Sequence, residues 1–166
     1  MDFLDNNVII ILVRKSEKIV IVILFSLLVL VSFSQVIARY VFNSPLSWSE
    51  EMARYIHVWL ILITSPICIR KGRHLKLDFL SNSLPFKYKK PLKIIINLLV
   101  VMLYLYIMVI YGWKTVIVNF GSQNSPAMQI PMYLIYLALP ISGLLMILEN
   151  LISLLKLIGL KNNNDL

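Results

Sequence analysis

Glu50, Glu51 and Arg54 are the residues of this chain best placed to do chemistry together. Glu50 and Arg54 are four apart and Glu51 and Arg54 three apart, so on a helix all three can meet on one face. Clustered carboxylates can serve catalysis, but a plainer role is open to this pair. Ser47 followed by Glu50 three residues on fits a capping box, in which the hydroxyl accepts from the third amide of the helix and the carboxylate reaches back to the cap's own amide. Both acids then sit in the first helical turn, where the positive end of the helix dipole favours anions. The trio therefore reads either as a cap with an ion pair or as a contact with another subunit. Arg39, at the other end of the preceding loop, could join it and pin two helices together.

Elsewhere the sequence gives a catalyst little to use. His57 and Asn97 each lie about one turn inside an apolar run, and a lone histidine near a helix end is more often a hydrogen-bonded structural residue than a ligand. Haem held between helices would want a second axial partner, and the other histidine, His74, stands in a charged stretch. The single Cys68 supplies neither a disulfide framework nor a metal cluster and reads as a small apolar filler. Gly72, Gly112, Gly121, Gly143 and Gly159 are too scattered to cradle a phosphate. Neither a cofactor nor an enzymatic activity is expected.

The elements that must position these residues are long apolar helices. Ile19 to Ala38 and Ile94 to Trp113 contain no Asp, Glu, Lys or Arg, and each can cross a hydrocarbon core of roughly 30 Å. Tyr55 to Ile69 is also uncharged and extends back to Trp48, while Pro131 to Leu148 closes a run punctuated by Gly121, Pro126 and Pro131. The expectation is a single all-α membrane domain over 1–166 with spans at about 19–38, 48–69, 94–113 and 131–148. A cleaved signal peptide is disfavoured for the first span, because signal cores are only about 7 to 15 residues long.

Basic residues fix the expected orientation. Arg14, Lys15 and Lys18 precede the first span; Arg70, Lys71, Arg73, Lys76, Lys87, Lys89, Lys90 and Lys93 separate the second and third; Lys156 and Lys161 follow the fourth. The opposite side holds only Arg39, Arg54 and Lys114, so both termini are expected to be cytoplasmic. Topology also accounts for the net charge of +8, since 59% hydrophobic residues and a mean hydropathy of +0.82 leave too little polar surface for a soluble nucleic-acid-binding domain.

Local signals refine this outline. Val8 to Val13 is too short to span and reads as a segment lying at the inner interface, anchored by Arg14 and Lys15. Pro66 should free the carbonyl of Leu62 near the end of the second helix, with Thr64 and Ser65 placed to compensate. Arg70 to Lys93 interleaves Leu75, Leu77, Phe79, Leu80, Leu84 and Phe86 with its charges, the pattern of an amphipathic segment on an anionic inner leaflet. Tyr40, Phe42, Trp48, Trp113, Phe120 and Tyr133 gather at the expected external boundary, where aromatic rings anchor. Pro140 and Gly143 permit a kink and close helix approach in the fourth span. An active conduit would be expected to carry an ionisable group near the bilayer centre, and none stands there in the sequence.

Three blocks of residues, in order and each at a span boundary, resemble the small membrane subunit of tripartite ATP-independent periplasmic (TRAP) transporters. They are Arg39, Tyr40, Phe42, Pro45, Trp48, Glu50, Glu51 and Trp59; then Arg70, Gly72, Arg73, His74, Leu75 and Asp78; then Ser125, Pro126, Ala127, Ile130, Pro131, Tyr136, Pro140 and Gly143. The likeness covers about two thirds of the chain; Tyr133 and Ser142 are modest departures. It implies a non-enzymatic, multi-pass protein of the bacterial inner membrane, partnered by a large permease subunit that carries the substrate and sodium sites and moves like an elevator. A soluble periplasmic binding protein would deliver an organic acid, such as a dicarboxylate or a sugar acid like sialic acid. Arg39, Trp48, Glu50, Glu51 and Arg54 would then organise the external loop and meet the permease or the binding protein. Arg70, Arg73, His74 and Asp78 would form a cytoplasmic turn against lipid headgroups. The rivals are the membrane anchor of a redox complex and a self-sufficient small exporter, of which the second would need an embedded carboxylate.

Overall fold

The computed structural model describes residues 8–71 and 86–159. Its elements are α1 (Val8–Tyr40), α2 (Ser47–Arg70), α3 (Phe86–Leu103) running into a π-helical stretch (Tyr104–Tyr111) and α4 (Gly112–Val118), then α5 (Tyr133–Tyr136) and α6 (Ala138–Gly159). Four apolar helical stretches, at Ile10–Tyr40, Ser47–Arg70, Pro91–Val118 and Tyr133–Leu155, are long enough to cross a membrane. The protein is thus all-α over the described residues, with one isolated antiparallel bridge between Asn124 and Pro131.

α1 departs from expectation at its start. Val8 to Val13 is no separate interfacial piece: it continues into the first span as one helix of 33 residues. Neither Gly nor Pro interrupts the stretch. Of the polar residues in its first turns, Arg14 and Glu17 find partners on α6 and α2, and Ser16 bonds back to the Val13 carbonyl, so the helix has no reason to break there. It ends where Asn43 adopts a left-handed φ of 48°, a conformation Asn tolerates better than most residues, just ahead of Pro45.

α2 begins without the expected capping box. Leu46 is the cap residue and offers no side-chain acceptor, which places Ser47 already inside the first turn. The shift by one residue brings the fully buried Ser49 to the third helical position, where its hydroxyl donates to the Leu46 carbonyl at 2.7 Å. Glu50 turns outward instead and accepts from Gln35 of α1 at 3.1 Å. Around the buried Pro66 the hydroxyls of Thr64 and Ser65 bond to the carbonyls of Leu60 and Ile61, at 2.6 and 2.9 Å. They satisfy themselves one turn back, as serine and threonine commonly do inside helices, and so do not reach the carbonyl of Leu62.

The helices form a layer rather than a closed bundle. α1 packs along α2, α2 along α6, and α6 along α3 and the π-helical stretch. Burial follows that order: 22% of the best apolar window of α2 and 44% of that of the fourth span are buried, against 6% for the first and third. α2 and α6 are therefore the centre, and α1 and the third span are the edges. Ile69, Tyr104 and Met146 make the core between the central and third helices, flanked by Val100, Met108 and Ile147.

Two glycines set the spacing at that seam. A Cβ on Gly143 would stand 2.6 Å from the Cβ of Met108, and one on Gly112 would meet Leu139 and Pro140 at 3.1–3.3 Å. Close approach through small residues is how helices associate where lipid removes the hydrophobic incentive. Pro140 lies in the first turn of α6, where a missing amide costs nothing, and the break at Leu137 falls just ahead of it. The fourth span starts at Tyr133 rather than Pro131, because Pro131 is held by the bridge to Asn124.

Candidate functional site

The described residues contain four carboxylates, Glu17, Glu50, Glu51 and Glu149, and every one is hydrogen-bonded between elements. They divide between the two ends of the layer.

At the Ser47 end, Glu51 is the organising residue. Its carboxylate accepts from the amides of Ala127 at 2.9 Å and Met128 at 3.1 Å, and from the Tyr55 hydroxyl at 2.7 Å. The fully buried Ser125 adjoins this group, its hydroxyl accepting from the Met128 amide at 3.4 Å. The loop that supplies these amides is pre-shaped. Ser125 and Ile130 close it through a 2.8 Å amide-to-carbonyl bond, Gln129 takes a φ of 57°, and Met132 donates to the Gln123 carbonyl at 3.0 Å. Successive amides thereby converge on one anion, the arrangement that gives backbone loops their affinity for negative charge. Two motifs 76 residues apart in sequence, one around Glu51 and one from Ser125 to Pro131, thus meet in a single site.

Other candidates at this end behave differently from expectation. Arg54 is exposed and makes no ion pair with Glu50 or Glu51, because Glu51 is turned towards the loop and Glu50 towards Gln35. Arg39 is also exposed and joins no described network; Gln35, one turn earlier on α1, makes the link to α2 instead. Trp48 presents its ring at the surface with Tyr40, Phe42, Trp113 and Phe120, and Phe120 packs on Tyr133 with ring centroids 5.0 Å apart. Pro126 supplies the carbonyl that accepts from the Gln129 side chain at 3.3 Å.

At the opposite end, Arg70 closes α2 and enters a cluster of four charges. Arg14 grips Glu149 with two parallel bonds, Nε to Oε1 at 2.9 Å and Nη2 to Oε2 at 3.0 Å. Arg70 Nη1 donates to the same Glu149 at 2.9 Å and to Glu17 at 3.3 Å. Glu17 and Glu149 keep only 4% and 7% of their side chains exposed, against 18% and 19% for Arg14 and Arg70. Two cations and two anions cancel, which is what permits their burial. The cluster clamps α1, α2 and α6, and at this end α1 also reaches α6 across a small apolar cavity lined by Ile10, Val13, Leu145, Leu148 and Ile152. Arg70 sits 23 residues along α2 from Ser47, roughly 34 Å at helical rise, so the charge lies at one end and not in the middle. Arg73, His74 and Asp78, expected beside Arg70, lie outside the described residues, as does most of the expected amphipathic segment.

Sequence reasoning missed Glu17, Glu149, Gln35 and Tyr55. A usable signal existed for the first two. Glu17 stands among Arg14, Lys15 and Lys18, and Glu149 terminates an apolar run, so each is an isolated acid where a counter-charge is required. Among the described residues no three His, Cys, Asp or Glu side chains come together as a metal site. His57 and Cys68 are exposed.

Residues 28–159 match the family described as Tripartite ATP-independent periplasmic transporters, DctQ component. The chain is 27% identical over 133 residues to a putative TRAP transporter small permease protein of Haemophilus influenzae, covering 80% of this chain and 81% of that one. It is 26% identical over 158 residues to the sialic acid TRAP transporter small permease protein SiaQ of Vibrio cholerae, covering 89% and 86%. Against the sialic acid TRAP transporter permease protein SiaT of Haemophilus influenzae the identity is 39% over 67 residues, which is 40% of this chain but 11% of that much longer one. Further relatives carry the names C4-dicarboxylate TRAP transporter small permease protein DctQ and isethionate TRAP transporter permease protein DctMQ. These are inner-membrane permease components and not enzymes, which four long apolar helices fit. On that match, which takes in most of its length, this chain belongs to the DctQ-component family of the tripartite ATP-independent periplasmic transporters.

Proposed function

We propose that this protein is the static, non-catalytic scaffold of a sodium-coupled TRAP transporter for organic acids. In this reading a large permease subunit carries substrate and sodium and slides, elevator-fashion, against the layer formed by the four helices. The observation that carries the reading is where the charge lies. All four described carboxylates hold helices or loops together at the two ends of the layer, leaving the middle of each span without Asp, Glu, Lys or Arg. A wall needs that; a conduit would need a charged or discontinuous site at mid-depth. Relatives in which a segment like this chain is a small part of a much longer permease support a large subunit as the partner. Names referring to sialic acid, C4-dicarboxylate and isethionate support an organic anion as the cargo.

Orientation and docking follow from the same reading. With both termini cytoplasmic, as the basic residues favour, the Glu51 end faces the periplasm. There the loop from Ser125 to Pro131, fixed by Glu51, together with Arg39, Trp48, Glu50 and Arg54 at the surface, helps receive the binding protein. On this reading Arg70, held by Glu149 and Glu17, marks the cytoplasmic end, and the proposed partners of anionic headgroups there are Arg73, His74 and Asp78, which follow it in the sequence. The test is affinity purification of the tagged chain in mild detergent, followed by reconstitution. The large permease subunit should copurify, vesicles holding this chain alone should move no organic acid, and the full set with binding protein and sodium should restore uptake. Charge reversal at Glu50 and Glu51 should impair assembly or uptake. Solute flux through vesicles of the isolated chain would end the scaffold reading.

A further inference from the structure

The third span carries a polar feature that neither the family assignment nor the scaffold role accounts for. Between Tyr104 and Tyr111 the backbone is π-helical, a rare form found mostly in single turns and often at functional sites. In an α-helix, residues five apart point about 140° away from one another at 3.6 residues per turn. The wider π turn brings Tyr106 and Tyr111 onto one side, where their rings meet edge to face with centroids 5.1 Å apart and their hydroxyls are 3.4 Å apart. Both side chains are exposed, at 56% and 48%. Lys114, one turn further, sets its ammonium 6.0 Å from the Tyr111 ring centroid and has no carboxylate partner among the described residues.

Depth makes this costly. Tyr106 is twelve residues inside the Val118 end of the Pro91–Val118 span, roughly 18 Å from it and so near the bilayer middle. Tyr106 donates to Tyr111, which leaves the Tyr111 proton without an acceptor among the described residues, on the lipid-facing surface below the boundary that Trp113 marks. The opposite edge of the layer shows the contrast. The shallow groove on α1 is lined by Leu28, Val29, Phe33 and Val36 with only Ser32 among them, a surface that lipid chains satisfy.

We propose that the Tyr106–Tyr111–Lys114 face of the third span is the surface on which the large permease subunit docks, through a helix presenting a hydrogen-bond acceptor to the Tyr111 hydroxyl and a carboxylate opposite Lys114. This rests on the reading of the chain as that subunit's scaffold and adds which edge of the layer meets it. The phenol donor of Tyr111 and the Lys114 ammonium are the two groups such a helix would satisfy.

A photoreactive benzophenone amino acid placed at position 106, 111 or, as the α1 control, 33 tests it in the assembled transporter. Adducts with the large permease from 106 and 111 but not from 33 are expected. Adducts from 33 alone, adducts with a second copy of this chain, or no protein adduct from 106 and 111 while the permease still copurifies would each overturn the docking face and leave the scaffold reading standing. Failure of the permease to copurify with the unmodified chain would instead sink the reading on which the inference rests. The doubly substituted Tyr106→Phe/Tyr111→Phe chain keeps the rings and removes the hydroxyls, so it should hold the permease roughly threefold to tenfold less tightly. Unchanged retention would refute the hydrogen-bonding role.

Discussion

Removing Glu149 should be the most damaging single change to the fold, and its size can be worked from the geometry. Glu149 accepts three of the four hydrogen bonds described in the Arg14–Glu17–Arg70 cluster, so Glu149→Leu takes this carboxylate from both guanidinium groups and leaves Arg70 with Glu17. Breaking a buried pair by deleting one partner costs about 3–5 kcal/mol. Arg14 and Arg70 keep 18% and 19% of their side chains exposed, so water recovers part of that loss and about 2–3 kcal/mol is expected. For a chain of this length that corresponds to a fall in Tm of about 4–12 °C, measurable by following tryptophan fluorescence during a thermal scan in mild detergent. The discriminating variant is Arg14→Leu/Glu149→Leu. It removes one cation with one anion and leaves Arg70 matched to Glu17, and well-packed apolar replacements of a buried pair are often neutral. The double variant should therefore be more stable than Glu149→Leu alone. If its loss equals the sum of the two single losses, the four charges do not act as a balanced unit and the argument fails.

Three further outcomes follow from particular contacts. Glu51→Ala should free the Ala127 and Met128 amides, raising their hydrogen exchange by roughly tenfold or more while the α6 core is unaffected; equal protection in the variant would show that the loop holds itself. Tyr55→Phe removes only the 2.7 Å hydroxyl donor to Glu51, so the same exchange measurement should show a smaller rise than Glu51→Ala. Gly143→Ala forces a methyl to within 2.6 Å of the Met108 Cβ and should destabilise the detergent-purified protein by about 1–3 kcal/mol; a Tm equal to that of the unmodified chain would mean that α6 and the third span are not in such close contact.

The sequence by itself determined the four membrane-crossing helices, since uncharged runs of that length have no other stable home, and it placed the three motif blocks at their boundaries. It also located Pro140 and Gly143 at a close approach, because a small residue beside a proline restricts what a helix can do. What it could not decide was pairing. The Ser47–Glu50 cap failed because the helix starts one residue earlier than the local signal indicates, and the Glu51–Arg54 pair failed because two backbone amides 76 and 77 residues away offer a better-shaped partner. Arg14 and Glu149 are 135 residues apart, and only the packing of α1 and α2 against α6 brings opposite charges to one depth. Whether the helices close into a bundle or lie side by side is likewise invisible in their periodicity, because in lipid both faces of an edge helix are apolar. Tertiary structure chose the layer, and with it which charges are buried together and which tyrosines remain to meet a neighbour.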